Sequence, residues 1–235
     1  MGTCSTDERR PLLVCLIGVD GTGKTTQAQS LVKTMAGVGM DVKRVPCRWD
    51  SATFRALMRV GIRLMSRKGK DLTDYGQRSR VKKSLFSNQF LAVLYQSVVL
   101  AQYVLHVWTK VKIPLLRGKS IVCDRYIYDS VIDLAVDFHY SIRKMDRLMS
   151  GLLRILPRPD LVFLIDLAEE TAFARNIPKG ERLTADYFSE RVALYRYLTR
   201  RHGMVVVDGA QSVEEIGNII ESKVLNAMHN RMDKR

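Results

Sequence analysis

Apolar positions along the chain fall into two rhythms. Leu12 to Gly18 is a continuous apolar run rich in aliphatics, the pattern of a strand covered on both faces. From Lys24 the period lengthens: Ala28, Leu31, Val32 and Met35 recur at helical spacing until Gly37 and Gly39 stop the pattern. Short apolar runs at 41–46, 120–123, 161–165 and 204–207 follow, separated by long helical stretches. Strands that alternate with helices in this way join through crossover connections and pair in parallel. The pattern therefore predicts an α/β fold with five parallel strands. With no internal repeat, low-complexity tract or Pro/Gly/Ser linker, it predicts one domain over residues 11–228, between a disordered stretch 1–10 and a basic tail 229–235.

One segment departs from both rhythms. Between Lys83 and Lys110 there is no Asp, Glu, Lys or Arg, a length that could cross a bilayer as a helix. Asn88, Gln89, Gln96, Gln102 and His106 interrupt it, and each needs a polar partner in lipid. The better expectation is a water-excluded helix at Ser84 to Thr109, packed in the core and at a contact between two copies of the chain.

Composition narrows the classes further. The 235 residues carry 38 Lys and Arg against 24 Asp and Glu, a net charge of +14, which points to an anionic ligand or surface and excludes an acidic disordered chain. Most of that excess lies in residues 41–83, where Arg55, Arg59, Arg63 and Arg67 recur every fourth position and would form a stripe on one helix. Such a stripe is ordinarily a solvated face, and few aromatics accompany it, so nucleic-acid and membrane partners are not expected. Cys4, Cys15, Cys47 and Cys123 form no CxxC pair, which argues against a zinc site or a secreted disulfide scaffold and for a reducing, cytoplasmic setting. Met1 to Thr6 fits an N-myristoylation pattern, but the pattern is short, and an untied N-terminus is the expectation.

The chemistry begins where the first strand ends. Gly18-Val19-Asp20-Gly21-Thr22-Gly23-Lys24-Thr25 matches GxxxxGK[ST] in full, after a buried strand and before a helix. Glycines let backbone N–H groups turn toward phosphate oxygens, and the helix start adds its positive end. In that motif Lys24 holds the β and γ phosphates of ATP and Thr25 the Mg²⁺ ion. An NKxD guanine motif is absent and the chain is short for a motor ATPase, which leaves a small kinase.

A second constellation closes the strand Ser120 to Cys123, in Asp124-Arg125-Tyr126. In a parallel sheet the ligand crevice lies at the carboxyl ends of the strands, so Asp124 and Arg125 should face the space of Lys24. Asp124 could orient Mg²⁺ or accept a proton, and Arg125 could neutralise a transferred phosphoryl group. The plainer alternative is an Asp-Arg pair that caps the next helix.

These motifs, GVDGTGKTT from Gly18 to Thr26, the DRY triplet at Asp124 and the strand entry Pro159-Asp160-Leu161, resemble the thymidylate kinase family from about Leu12 to about Val224. The resemblance implies a P-loop NTPase fold, a three-layer α/β/α sandwich with a short lid, and transfer of the γ-phosphoryl of ATP to a nucleoside monophosphate, dTMP foremost. It implies that Asp20 lies near acceptor sugar and metal, that Arg48 binds the acceptor phosphate and that Arg125 bridges donor and acceptor. It further implies a lid at Asn176 to Arg182, with Arg182 first and Arg175 second as the transition-state cation, an adenine contact within Asp208 to Ile216, and a homodimer paired through the uncharged helix. Two positions depart from the family's pattern. Val104, beside Gln102 and Tyr103, stands where an Arg usually lines the base pocket, and Asp133-Leu134-Ala135 where Tyr-Gln-Gly is common. A site that keeps its phosphate contacts and loses base contacts should separate pyrimidines weakly. The rivals are a kinase of this fold for another pyrimidine or modified nucleotide, and a nucleotide-dependent protein that binds nucleic acid or a membrane surface.

Overall fold

The computed structural model describes residues 10–47, 89–176 and 185–232. The chain divides into two compact units, one of residues 1–48 with 107–235 and one of residues 49–106. The first carries a five-stranded, all-parallel sheet in the order β2-β3-β1-β4-β5, from β1 (Leu13–Ile17), β2 (Val42–Pro46), β3 (Ser120–Asp124), β4 (Leu161–Asp166) and β5 (Val205–Asp208). All five strands expected from the apolar runs are present, within a residue or two at each end.

β1 is buried along its whole length because it sits between two neighbours and two helical layers. Side chains alternate across it. Leu12, Val14 and Leu16 join Phe163, Ile165 and Val207 in a core closed by Ala28, Leu31 and Met35 of α1 (Lys24–Gly37). Ile216, Ile220 and Val224 close the same core from a helix that runs from Val213 to Met232, through part of the segment expected as a tail. A second layer comprises the helices Ile127–Asp137, Ile142–Ile155 and Ala185–His202, the first packed on the other two and the last against β4. Asp160 ties the amino ends of the central strands together: its carboxylate accepts from the Leu13 amide at 2.8 Å, and its own amide donates to the Leu13 carbonyl at 2.8 Å.

Cys15, Cys47 and Cys123, distant in sequence, come together as buried free thiols, with Cys47 and Cys123 Sγ atoms 3.5 Å apart. Burial pushes the Cys15 and Cys123 thiols up, which makes both poor nucleophiles.

The uncharged segment forms α2 (Gln89–Val107), which lies in the second unit up to His106; in the first unit a widened π turn at 108–112 then precedes Pro114, which lacks the amide that would bond the Lys110 carbonyl. No helix among the described residues is long and apolar enough to cross a membrane. Within one chain, Phe90, Val93, Leu94, Val98 and Leu105 are exposed, so packing inside the chain covers only part of α2. The stripe at Arg55, Arg59, Arg63 and Arg67 lies outside the described residues.

Candidate active site

The loop from Gly18 to Gly23 turns through left-handed backbone at three glycines, Gly18 (φ 139°), Gly21 (φ 88°) and Gly23 (φ 82°). Gly18 also has no room for a side chain, since a Cβ there would stand 2.6 Å from the Ile165 carbonyl oxygen in β4. The first helical bond of α1 runs from the Gln27 amide to the Gly23 carbonyl at 3.1 Å. The amides of Lys24, Thr25 and Thr26 therefore precede any helical acceptor, as an anion site requires.

Lys24 lies folded into this loop. Its ammonium donates to the Val19 carbonyl at 2.5 Å and to Thr22 Oγ1 at 3.2 Å, and both Lys24 and Thr22 are buried. Burial, aided by the nearby Arg125 charge, lowers the Lys24 pKa to about 7 against the pull of Asp129, Asp20 and Asp124. The ammonium is held ready and is short of negative charge.

β3 lies beside β1 in a register that pairs Leu16 with Asp124, and the Arg125 amide donates to the Leu16 carbonyl at 2.9 Å. The DRY triplet and the phosphate loop thus meet at neighbouring strand ends. Asp124 Oδ2 accepts from Thr25 Oγ1 at 2.7 Å and pairs with Arg44 of β2 at 3.1 Å. Asp124 therefore turns to the loop and does not cap the next helix. Arg125 reaches the loop directly, pairing with Asp20 through one guanidinium nitrogen and with Asp129 Oδ1 at 3.3 Å through the other. Burial opposes its charge, but Asp129 and Asp20 outweigh that cost and hold it firmly protonated. Tyr126 is structural: it is buried, and its hydroxyl donates to the Pro157 carbonyl at 2.8 Å.

Three further residues near Arg125, namely Asp129, Arg191 and Tyr195, were not singled out from the sequence. Asp129 accepts the Tyr195 hydroxyl at 2.6 Å, and Arg191, one turn before Tyr195, pairs with Asp133, the residue that stands where the family commonly has Tyr. Burial is the main cause of the shifts here, raising the Tyr195 phenol well above its ordinary value and lowering Arg191. The spacing of Arg125, Asp129 and Asp133 by four was a readable signal; the partners on the helix Ala185–His202 were not.

The remaining sequence-predicted residues divide by position. Arg175 donates to the Gly209 carbonyl at 3.5 Å, beyond the end of β5. Arg48, Arg182 and most of the lid Asn176 to Arg182 lie outside the described residues. Tyr103 is buried on α2, with Gln102 and Val104 half-buried beside it. Thr25 and Asp124 offer adjacent hard oxygen donors at the phosphate loop, a set that suits Mg²⁺, with Arg44 as a competing cation on the same carboxylate oxygen.

Comparison with known proteins agrees with this geometry. The sequence model of the thymidylate kinase family matches residues 50–220. A probable thymidylate kinase of Methanocaldococcus jannaschii is 28% identical over 93% of this chain and 98% of its own length. The thymidylate kinase of Leifsonia xyli is 30% identical over 94% of this chain and 98% of its own, and the human thymidylate kinase 26% identical over 88% and 87%.

Proposed function

The chain belongs to the thymidylate kinase family, and on that premise we propose that this ATP-dependent nucleoside monophosphate kinase converts dTMP to dTDP. What carries the reading, beside the family match, is the meeting of Lys24, Thr25, Asp124 and Arg125 at two neighbouring strand ends. Family membership disfavours the rival reading of a nucleic-acid or membrane-surface binding protein.

The reaction asks little covalent chemistry of the protein. A phosphate oxygen of dTMP attacks the γ-phosphorus of ATP, and the bond to the β,γ-bridging oxygen breaks, with its electron pair leaving on ADP. The acceptor oxygen is already ionised at neutral pH, so positioning and charge neutralisation dominate. Lys24 exchanges the Val19 carbonyl for β and γ phosphate oxygens, while the amides after Gly23 hold the same anion. Thr25 and Asp124 would hold Mg²⁺, which neutralises phosphate charge when bound. Arg125 exchanges Asp20 for oxygens of the transferred group, and Arg48 takes the acceptor phosphate. Arg182, or Arg175 after it, supplies the lid cation.

The same reading places the enzyme in the cytoplasm as a homodimer, with the exposed face of α2 at the contact. Phe90, Leu94, Val98 and Leu105 lie on that face at helical spacing, an apolar stripe that water alone covers poorly. A screen of nucleoside monophosphates for ATP-dependent diphosphate formation tests the proposal. dTDP formation that Lys24→Ala abolishes supports it, and no turnover of any monophosphate refutes it. With Val104 and Asp133 at the departing positions, the kcat/KM ratio of dTMP to dUMP should be low for the family; a strong dTMP preference would assign base recognition to other residues, such as Gln102 or Tyr103.

A further inference from the structure

We infer that Asp129, held by Tyr195, is a positioning residue that keeps Arg125 aimed at the phosphate loop while its other contact is exchanged; the inference rests on the role proposed for Arg125. Arg125 needs such a partner because its backbone is unusual. Its φ of 73° is left-handed, and among the described residues only His139 shares that state without being glycine. A non-glycine residue persists there only where its surroundings over-determine it.

The carboxylate of Asp129 supplies that determination from two directions. Its Oδ2 accepts the amide of Tyr126 at 3.2 Å, fixing the peptide just after Arg125, as the Arg125 amide on Leu16 fixes the peptide just before it. Its Oδ1 accepts Arg125 Nη1 at 3.3 Å and the Tyr195 hydroxyl at 2.6 Å. A helix cap alone would need only the first of these oxygens. The Asp129 side chain is 3% exposed and that of Asp20 is 24% exposed, so the two partners of the guanidinium differ in kind. Asp20, on the open side, can be replaced by a phosphate oxygen; Asp129, buried and tied to a second helix, stays. The fork of Arg125 can therefore keep one nitrogen anchored while the other turns from Asp20 to the substrate.

Kinetics of Asp129→Asn, Tyr195→Phe, Arg125→Ala and the Asp129→Asn/Arg125→Ala double variant test this, with thermal unfolding measured on each. Asp129→Asn should lower kcat by about tenfold or more with the KM for ATP changed by less than about twofold, and the double variant should be no slower than Arg125→Ala alone. Tyr195→Phe, which keeps the ring and removes one donor, should lower kcat in the same direction by about threefold and stands in if Asp129→Asn does not fold. A lowered melting temperature with unchanged kcat would reduce Asp129 to a helix cap and overturn the inference. An equal loss of kcat with and without Arg125 would also overturn it, because Asp129 would then act by another route. Full activity in Arg125→Ala would instead refute the proposed role of Arg125, and this inference with it.

Discussion

Replacing Gly18 with alanine tests whether the phosphate loop is shaped by backbone freedom alone or also by close approach. The substitution meets two separate penalties. At φ 139° an alanine is in territory that costs on the order of 1–3 kcal/mol for any residue with a Cβ. Its methyl group would also lie 2.6 Å from the Ile165 carbonyl oxygen, closer than any real contact. That oxygen cannot retreat easily, because β4 is paired to β1 on one side and β5 on the other. Forcing the strands apart adds about 1–3 kcal/mol, the usual range for overpacking. The sum, about 2–6 kcal/mol, is a large share of the roughly 5–15 kcal/mol that holds a domain together. Gly23→Ala supplies the control: its φ of 82° is strained too, but nothing lies within 4 Å of the added methyl. Only the conformational cost remains there, about 1–2 kcal/mol. Urea unfolding without nucleotide, at unchanged m, should place the midpoint of Gly18→Ala well below that of Gly23→Ala, which in turn lies below wild type. Equal midpoints for the two variants would refute the steric half of the reasoning.

Three further outcomes follow from the site and from α2. Lys24 is depressed to about 7 in the folded chain and returns toward 10.5 on unfolding, so the unfolded chain holds the extra proton between these values. Stability without nucleotide should therefore rise with pH from about 7 upward relative to Lys24→Met, as urea titrations at pH 6.5 and 8 would show; a constant difference between the two proteins would count against the shift. Asp124→Asn should cut kcat by about a hundredfold while leaving the fold intact by circular dichroism, and a near-normal rate would remove Asp124 from the machinery. Light scattering should give a dimer for the wild-type chain and a monomer for Leu94→Arg, and a monomeric wild type would sink the pairing of the exposed α2 face.

The parts of this protein that repeat or follow a chemical spacing were readable in its sequence. β1 was plain because a strand between two neighbours and two helical layers must be apolar throughout, and Leu13 to Ile17 is. The phosphate loop was equally plain because its three left-handed turns admit little but glycine. Asp124 could be placed at the crevice by topology and Thr25 by the phosphate-loop motif, but Arg44, which reaches the same carboxylate from within β2, had no sequence signal of its own. Asp129 and Tyr195 were missed for a related reason. A buried carboxylate reads as an ordinary helical position until the phenol that satisfies it arrives from 66 residues away. The exposed side of α2 escaped as well, since a run without charges tells of apolar surface and not of which faces one chain covers.

The order of the strands also governs how such a chain can diverge. β2 and β3 are direct neighbours, paired from Val42 with Ser120 to Pro46 with Asp124, yet everything from Cys47 to Lys119 is strung between them. Because the cost of closing a connection grows only with the logarithm of its length, that excursion can be lengthened, shortened or rewritten at little expense to the pairing it spans. Arg48, Gln102 and Val104 belong to it, whereas Asp20, Arg125 and Asp133, also tied here to the acceptor, do not. Gly18 to Thr26 and Asp124 to Tyr126 stand outside it, locked into the frame of the sheet. A change of length or sequence within the excursion therefore leaves intact the strand pairing that sets Asp124 and Arg125 beside the phosphate loop.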